Sequence, residues 1–288
     1  MIRLSVVIPA HNAGPLLAEA VRSVEAEGCL GVEILVVDDG STDGSLETVR
    51  GMAAVRPLQQ PNRGPGAARN LGLRQAQGEW VGFLDADDVW LPGRTERLLG
   101  ADLPVADLLY SDHLIRDLAT GAVRQKICPS LRAPAAVALA IHNPICTSTV
   151  VARRPALTAA GGFREDVRFA EDWDLWLRMA ENGEVAQLAG VWAEHRERPG
   201  SLAGADRGEL HRAQELVLAA ALERRPALYR PVARAARAQL DCRSGIRSYR
   251  DRDYRRARRH LWRSVLGGRL RPSLKYLMRA LAAGALGR

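Results

Sequence analysis

Four segments near the N-terminus alternate with helical patterns, and this alternation constrains the fold more than any other feature of the chain. Leu4 to Ile8 is a largely β-branched run ended by Pro9, and Val32 to Val37 is a second. Arg56 to Gln60 is a weaker third, and Trp80 to Leu84 a fourth. Near-continuous apolar runs of this length read as strands buried on both faces, as in parallel sheets. Pro15 opens a helix with Leu17, Ala20, Val21 and Val24 at helical spacing, and Gly28 ends it. A short helix is expected over Ser45 to Arg50, and another over Ala67 to Gln77, closed by Gly78. The first 90 residues therefore predict a right-handed β/α unit on a parallel sheet.

In such sheets ligands bind beyond the carboxyl ends of the strands. Those ends carry Pro9-Ala10-His11-Asn12, Asp38-Asp39-Gly40-Ser41 and Asp85-Ala86-Asp87-Asp88, so polar and acidic groups gather on one rim. If the strand from Trp80 stays extended through Asp87, Asp85 and Asp87 share a face. Paired carboxylates repel each other and suit a hard divalent cation that takes phosphate oxygens as further ligands. The competing account is a surface turn in which Asp88 caps the next segment. The rim as a whole points to a nucleotide with a divalent metal.

Several chemistries are excluded or weakened. Gly64-Pro-Gly-Ala-Ala-Arg69 half resembles a dinucleotide fingerprint, but Arg69 replaces the third glycine, Pro65 stiffens the turn, and the motif follows the third strand. No G-x-x-x-x-G-K-[ST] occurs, and no two of the six histidines stand at i, i+4. Cys29, Cys128, Cys146 and Cys242 are scattered without C-x-x-C spacing, which predicts reduced thiols in a reducing compartment. No secretory signal is visible, and runs such as Ala133 to Ile141 are too short to span a bilayer.

Farther along, Asp107 to Leu114 reads as a strand, whose Asp112 and His113 either face the site or, the favoured account, mark a solvated strand end. Pro144 to Val151 is β-prone and precedes a short helix near Pro155. Gly161-Gly162-Phe163 is a turn. Glu171-Asp172-Trp173-Asp174-Leu175-Trp176-Leu177 opens a helix with acids in its first turn, an apolar face of Trp173, Trp176, Leu177 and Ala180, and an Asn182-Gly183 stop. The acids there are either helix-capping groups or, if the helix start faces the nucleotide, a source of a general base.

Taken together, Ser5–Gly14, Glu33–Ser45, Asn62–Pro92 and Gly161–Arg178 resemble the family 2 inverting glycosyltransferases over about residues 3–202. The resemblance implies an α/β fold of the GT-A type, Rossmann-like, as a single domain over residues 1–204, with a helical C-terminal extension over 205–288. It also implies a nucleotide-diphosphate sugar donor, most often uridine-linked, a Mg²⁺ or Mn²⁺ ion, and a glycan or lipid-linked acceptor. Carried over by residue, Pro9, His11 and Asn12 would line the nucleotide pocket. Asp38 and Asp39 would sit at the base, with Asp39 hydrogen-bonding it and Arg69 nearby. Asp85 and Asp87 would hold the metal, Asp85 also meeting the ribose and diphosphate. Asp172 would be the catalytic base, with Glu171 as its rival. Many members carry a histidine in an R-x-H-x-G-S segment; here Arg198 takes that place, and His195 could substitute only by a register shift. A sugar-phosphate nucleotidyltransferase would need a Gly-rich loop that Pro9 to Gly14 lacks, and a non-catalytic nucleotide-sugar-binding protein would have no use for Asp172.

The net charge of +8 hides an asymmetry. Residues 1–204 carry 20 Lys and Arg against 26 Asp and Glu, whereas residues 205–288 carry 21 against 7. The tail reads as helices: Leu210, Ala213, Val217 and Ala221 form one apolar stripe, and Leu274, Leu277, Met278, Leu281 and Ala285 another. Between them Tyr254, Ala257, Leu261 and Val265 face one way, with Arg255, Arg256, Arg258, Arg259 and Arg263 elsewhere. This basic amphipathic pattern suits an anionic membrane surface. The expectation is a cytoplasmic protein, peripheral on the inner face of the cell membrane. A solvated helical face is the plainer alternative, and nucleic acid is not expected, because no recognition module accompanies the charge.

Overall fold

The computed structural model describes residues 2–26, 28, 30–100, 103–131, 134–198 and 207–285. Cys29, Pro199, Gly200 and Ser201 lie outside the described residues. The chain divides into two units, Met1–Ala135 with Pro144–Ser201, and Ala136–Asn143 with Leu202–Arg288.

The first unit is built on β1 (Leu4–Ala10), buried along nearly its whole length. Helix α1 (Leu16–Glu25) turns Leu17, Ala20, Val21 and Val24 inward. The strands β2 (Val32–Asp38) and β3 (Val55–Gln59) follow, then α2 (Pro65–Gln75) and β4 (Trp80–Phe83). The pairs β1–β2, β1–β4 and β2–β3 are all parallel. Pro65 opens α2, where its missing N–H costs nothing. Gly72 lets α2 sit so close to β1 that a Cβ there would overlap Val7. The segment expected as a helix over 45–50 is only a 3₁₀ turn, Ser45–Thr48.

The sheet then changes direction. The chain continues through β5 (Val89–Trp90), α3 (Arg94–Leu99), β6 (Leu108–Asp117), β7 (Val123–Lys126), α4 (Ala135–Ile141), β8 (Val151–Arg153), α5 (Arg154–Ala159), α6 (Glu171–Ala180) and β9 (Val185–Glu197). The order across the sheet is β3-β2-β1-β4-β8-β6-β9-β5, with β7 paired to β6. Strand β8 is antiparallel to β4 and β6, whereas β9 is parallel to β6. Nothing in the sequence predicted β9, whose polar residues disguise a strand of 13 residues. The β-prone stretch before Val151 is partly a 3₁₀ turn, Thr147–Thr149, with all three side chains buried. Val6, Ile8, Leu17, Val21, Ile34, Val36, Leu84 and Trp90 lie in one core. Burying each such side chain contributes about 1.5–3 kcal/mol.

The second unit takes in α4 from Ala136 onward, together with α7 (Arg207–Arg224), α8 (Pro226–Tyr229), α9 (Ala233–Arg250), α10 (Tyr254–Leu266) and α11 (Leu270–Ala285). Ala213, Val217 and Ala221 of α7 are buried, as their spacing predicts. Ala257, Leu261, Leu277 and Ala280 form a core, with Ile246, Tyr249, Tyr254, Val265 and Tyr276 around it. On α11 the expected stripe splits. Leu277 is buried, but Leu274, Met278 and Leu281 are 41%, 63% and 46% exposed. The inward face is Ser273, Leu277 and Ala280, because small residues allow close helix packing and Ser273 can bond Ser264 at 2.9 Å. No helix among the described residues is long and apolar enough to cross a membrane.

Candidate active site

Strand register places the loops after β1, β2 and β3 at one level: Ala10 lies opposite Asp38, and Asp38 opposite Gln59. Here Pro9 is half-buried, and His11 and Asn12 are exposed. His11 Nδ1 donates to the Asp39 carbonyl at 2.9 Å, which leaves Nε2 to accept from Asn62 Nδ2 at 3.2 Å. Asn12 adopts a left-handed φ of 50°, and its Oδ1 accepts the Thr42 N–H at 2.9 Å. Asp39 is buried and accepts from Gln60 Nε2 and the N–H groups of Arg63 and Gly64, at 2.8, 2.9 and 2.8 Å. Asp38 accepts from the Ser41 N–H at 2.9 Å. Both carboxylates thus organise the loops around them. Gly40 completes this join: φ is +75°, and a Cβ would fall 2.9 Å from the Asn62 nitrogen.

Arg69 ties the rim together. It projects from α2 with only 5% exposure. Its Nη2 donates to Asp85 Oδ1 and its Nη1 to Glu171 Oε1, both at 2.7 Å. Its guanidinium lies over the Phe163 ring, 5.4 Å from the centroid. One buried cation therefore joins the end of β4 to the start of α6. Burial opposes its charge, but Asp85 and Glu171 hold its pKa above the ordinary arginine value.

The acidic run after β4 departs from the extended geometry expected. The strand ends at Phe83, and Ala86-Asp87 form a turn in which the Asp88 N–H bonds the Asp85 carbonyl at 3.0 Å. Asp88 does not cap a surface segment; it is fully buried. Its carboxylate accepts from Ser148 Oγ at 2.5 Å and the Arg196 N–H at 2.8 Å, and pairs with His195 Nδ1 at 3.1 Å. Burial resists a charge on His195, yet Asp88 outweighs it and raises the imidazole to about 9. Asp87 accepts from Arg198 Nε at 3.0 Å. Burial and the charges of Asp88 and Asp85 push the Asp87 carboxyl up, and Arg198 only partly offsets them. Asp85 and Asp87 therefore remain a partly open, mutually repelling pair of hard oxygen donors, which fits a divalent cation of the Mg²⁺ or Mn²⁺ kind. Cys146 lies within 4.8 Å of Asp88 and His195, but burial keeps its thiol protonated.

The acids of α6 divide their tasks. Glu171 is buried against Arg69, and burial raises it to about 7 despite that partner. Asp174 pairs with Arg178 at 2.7 Å, and Arg178 also donates to the Gly162 carbonyl at 2.7 Å, anchoring the glycine turn. Asp172 is half-buried. Its Oδ2 accepts from Thr147 Oγ1 at 2.9 Å and its Oδ1 from the Trp173 N–H at 2.6 Å. Burial raises its carboxyl against the pull of Arg69. Ala170 ahead of them has φ 59°, a strained value for alanine, which aims the helix start. Phe163 meets Phe83 and Trp176 edge to face, and Phe83 and Trp176 are tilted to each other, with centroids 5.1 to 6.1 Å apart. The solvated strand end expected at Asp112 and His113 is not found: Asp112 accepts from the Cys128 N–H at 2.7 Å, and His113 is buried, close enough to His195 to feel its charge.

Thr147 and Ser148 escaped the sequence reading altogether. They orient Asp172, Asp85 and Asp88, since Ser148 Oγ also accepts the Asp85 N–H at 3.1 Å. No local pattern marks two hydroxyls in a β-prone stretch as partners of acids 25 to 63 residues away.

Parallel strands with an acidic rim, a buried arginine tying it to a helix start, and an appended helical unit make a nucleotide-diphospho-sugar transferase fold of the GT-A type. Residues 5–103 match the family described as Glycosyl transferase family 2. EpsE of Bacillus subtilis (strain 168), which carries a glycosyltransferase name, is 30% identical over 197 residues, covering 63% of this chain and 68% of EpsE. The chain belongs to glycosyltransferase family 2. It spans only about a third of the length of the first curated relatives it matches. Among solved structures, S. aureus TarS 1-349 with UDP-GlcNAc aligns over 100% of this chain and 93% of that 1-349 chain, at a TM-score of 0.62 and 19% identity. The Pyrobaculum calidifontis mannosyltransferase PcManGT, with GDP-Man and Mn²⁺, covers 99% of this chain and 80% of its own, at a TM-score of 0.61 and 22% identity.

Proposed function

We propose that residues 1–204 form a catalytic domain that transfers a sugar from a nucleoside-diphosphate donor, uridine-linked in the first instance, to a hydroxyl of a glycan or lipid-linked acceptor, with inversion. The observation that carries this is the half-buried Asp172, whose neighbour Glu171 is joined through Arg69 to the Asp85 end of β4. In this reading His11, Asn12 and Pro9 line the nucleotide pocket, and Asp39 meets the base with the lone pair its loop leaves free. Asp38 holds the loop. Asp85 and Asp87 would hold Mg²⁺ or Mn²⁺, which neutralises charge on the diphosphate. Asp172 takes the proton of the acceptor hydroxyl as its oxygen bonds the anomeric carbon from the side opposite the diphosphate; the bond from that carbon to the phosphate oxygen breaks, and the nucleoside diphosphate leaves. A raised carboxyl suits this role, because the general base works best with a pKa nearer the working pH. Glu171 is the positioning neighbour, held by Arg69.

The helical unit docks on the anionic inner leaflet in the same proposal. Arg255, Arg256, Arg258 and Arg259 lie on α10, which also exposes Trp262 and Leu266 at 56% and 63%. The test of the catalytic reading is a panel of nucleotide sugars assayed for donor hydrolysis and transfer, with Asp172→Asn as control. The variant should bind donor normally and lose about 10²–10⁴-fold in turnover. Wild-type turnover in Asp172→Asn would reject the assignment of the base.

A further inference from the structure

The helical unit holds a second cluster of ligating groups. On α7, His211 and Glu215 stand one turn apart and so share a face. Asp241 of α9 and His260 of α10 complete the group, and His211, Asp241 and His260 are all buried. We infer that His211, Asp241, His260 and Glu215 form a binding site for Zn²⁺ or a similar borderline divalent cation, which cross-links α7, α9 and α10.

Distances carry the argument. A tetrahedral ion with bonds of about 2.0–2.1 Å places its ligand atoms about 3.3 Å apart. Here His211 Nε2 lies 3.5 Å from Glu215 Oε1 and 3.7 Å from Asp241 Oδ1, while His260 Nδ1 lies 2.8 Å from Asp241 Oδ1. The nearest ligand atoms of His211, Asp241 and His260 all fall within 4.8 Å of one another. The two imidazole rings meet edge to face at 4.4 Å between centroids.

An unfilled valence points the same way. His211 is 6% exposed, and its Nε2 makes no hydrogen bond. Its Nδ1 is held by Ser244 Oγ at 2.7 Å. With Nδ1–H donating to that hydroxyl, the bare Nε2 lone pair faces two carboxylates, an arrangement that a bridging cation resolves. A hydrogen bond on the far ring nitrogen is also how metal-bound histidines are usually oriented. His260 must release its Nδ1 proton, which shifts to Nε2, and its short bond to Asp241 then opens toward the ligand spacing. Imidazole nitrogens with carboxylate oxygens suit Zn²⁺ and not Mg²⁺. A cavity of about 60 Å³ borders His211 and Ser244 and offers a way in.

Arg263 is the built-in competitor. Its Nη2 lies 3.3 Å from Glu215 Oε1 and its Nε 3.5 Å from Asp241 Oδ2, from a half-exposed position. A metal site and a purely structural ion network therefore respond oppositely to its loss. The 288-residue chain stripped with chelator should bind Zn²⁺ by competition with a chromogenic chelator, and Co²⁺ should give tetrahedral visible bands without thiolate charge transfer. His211→Gln should lose this site at least 10-fold in affinity, and Arg263→Gln should strengthen it. Asp87→Ala, which alters only the catalytic rim, should leave it unchanged. Zn²⁺ should raise the melting temperature of wild type and not that of His211→Gln. Thiolate charge transfer would place the ion on a cysteine instead and overturn the proposal. So would Zn²⁺ affinity unchanged in His211→Gln, no binding to wild type, or weaker binding in Arg263→Gln.

Discussion

Replacing Arg69 with methionine should separate the architecture of the site from its chemistry. The substitution keeps most of the apolar volume of the side chain but removes a buried cation that two carboxylates share at 2.7 Å. Asp85 is about one-third exposed and can regain water, whereas Glu171 is 9% exposed at the side chain and cannot. Removing one partner of a buried pair typically costs about 3–5 kcal/mol, because the other charge is stranded. For a domain of this size that corresponds to a loss of about 6–20 °C in Tm. Protonation limits the damage. Glu171 already stands near 7 in the native protein, so without Arg69 it titrates higher still. The sign follows: a carboxyl with a raised native pKa binds its proton more tightly folded than unfolded, so stability falls as pH rises from 4.5 through the native value. In Arg69→Met that decline should extend above pH 7. Urea denaturation of wild type, Arg69→Met and Arg69→Met/Glu171→Gln from pH 5 to 9 measures it, and the double variant should regain most of the loss above pH 7. A destabilisation under about 1 kcal/mol at pH 8, or no recovery in the double variant, would refute the reasoning.

Asp87→Ala should abolish the advantage that Mn²⁺ gives to UDP binding, measured by calorimetry with and without chelator; equal affinities in wild type under both conditions would remove the metal from Asp85 and Asp87. His113 is buried, and burial with the charges of His195 and Lys126 lowers it to about 4. A base depressed in the native state is neutral there while the unfolded chain is protonated, so stability should rise with pH between 4 and 6.5, by about 3 kcal/mol at most; His113→Gln should flatten that part of the Tm profile. Replacing Leu274, Met278 and Leu281 together with serine should reduce sedimentation with phosphatidylserine vesicles while leaving the melting curve near wild type, since all three are exposed; unchanged vesicle binding, or none by wild type at physiological salt, would count against the membrane role.

Arg198 stands where the family resemblance leads one to expect a histidine. Arg198 reaches Asp87, while His195, three residues earlier, turns to the buried Asp88. Neither side chain adds an oxygen donor beside Asp85 and Asp87. A guanidinium beside Asp87 is, however, placed to meet a diphosphate, to which arginine binds through two parallel hydrogen bonds.

Local pattern alone determined much of this protein. The strands β1, β2 and β4, the helices between them and the start of α6 were legible because burial on both faces writes continuous apolar runs and helices write a 3.6-residue period. The carboxyl-end rule then gathered His11, Asp38, Asp39, Asp85 and Asp87 onto one rim. Strand β9 was hidden, since residues such as Gln187, Glu194 and His195 are held by partners on β6 and after β4, far away in sequence. The turn at Ala86-Asp87 was hidden too, because the strand-like spacing of Asp85 and Asp87 carries no sign of where extension stops. Only the tertiary structure decided that one arginine would join Asp85 to Glu171, and that Thr147 would hold Asp172. It also decided that the α11 face with the fewest large apolar groups would turn inward. Each of these depends on contacts between segments 9 to 102 residues apart, and a short window of sequence carries the chemistry of one partner without the position of the other.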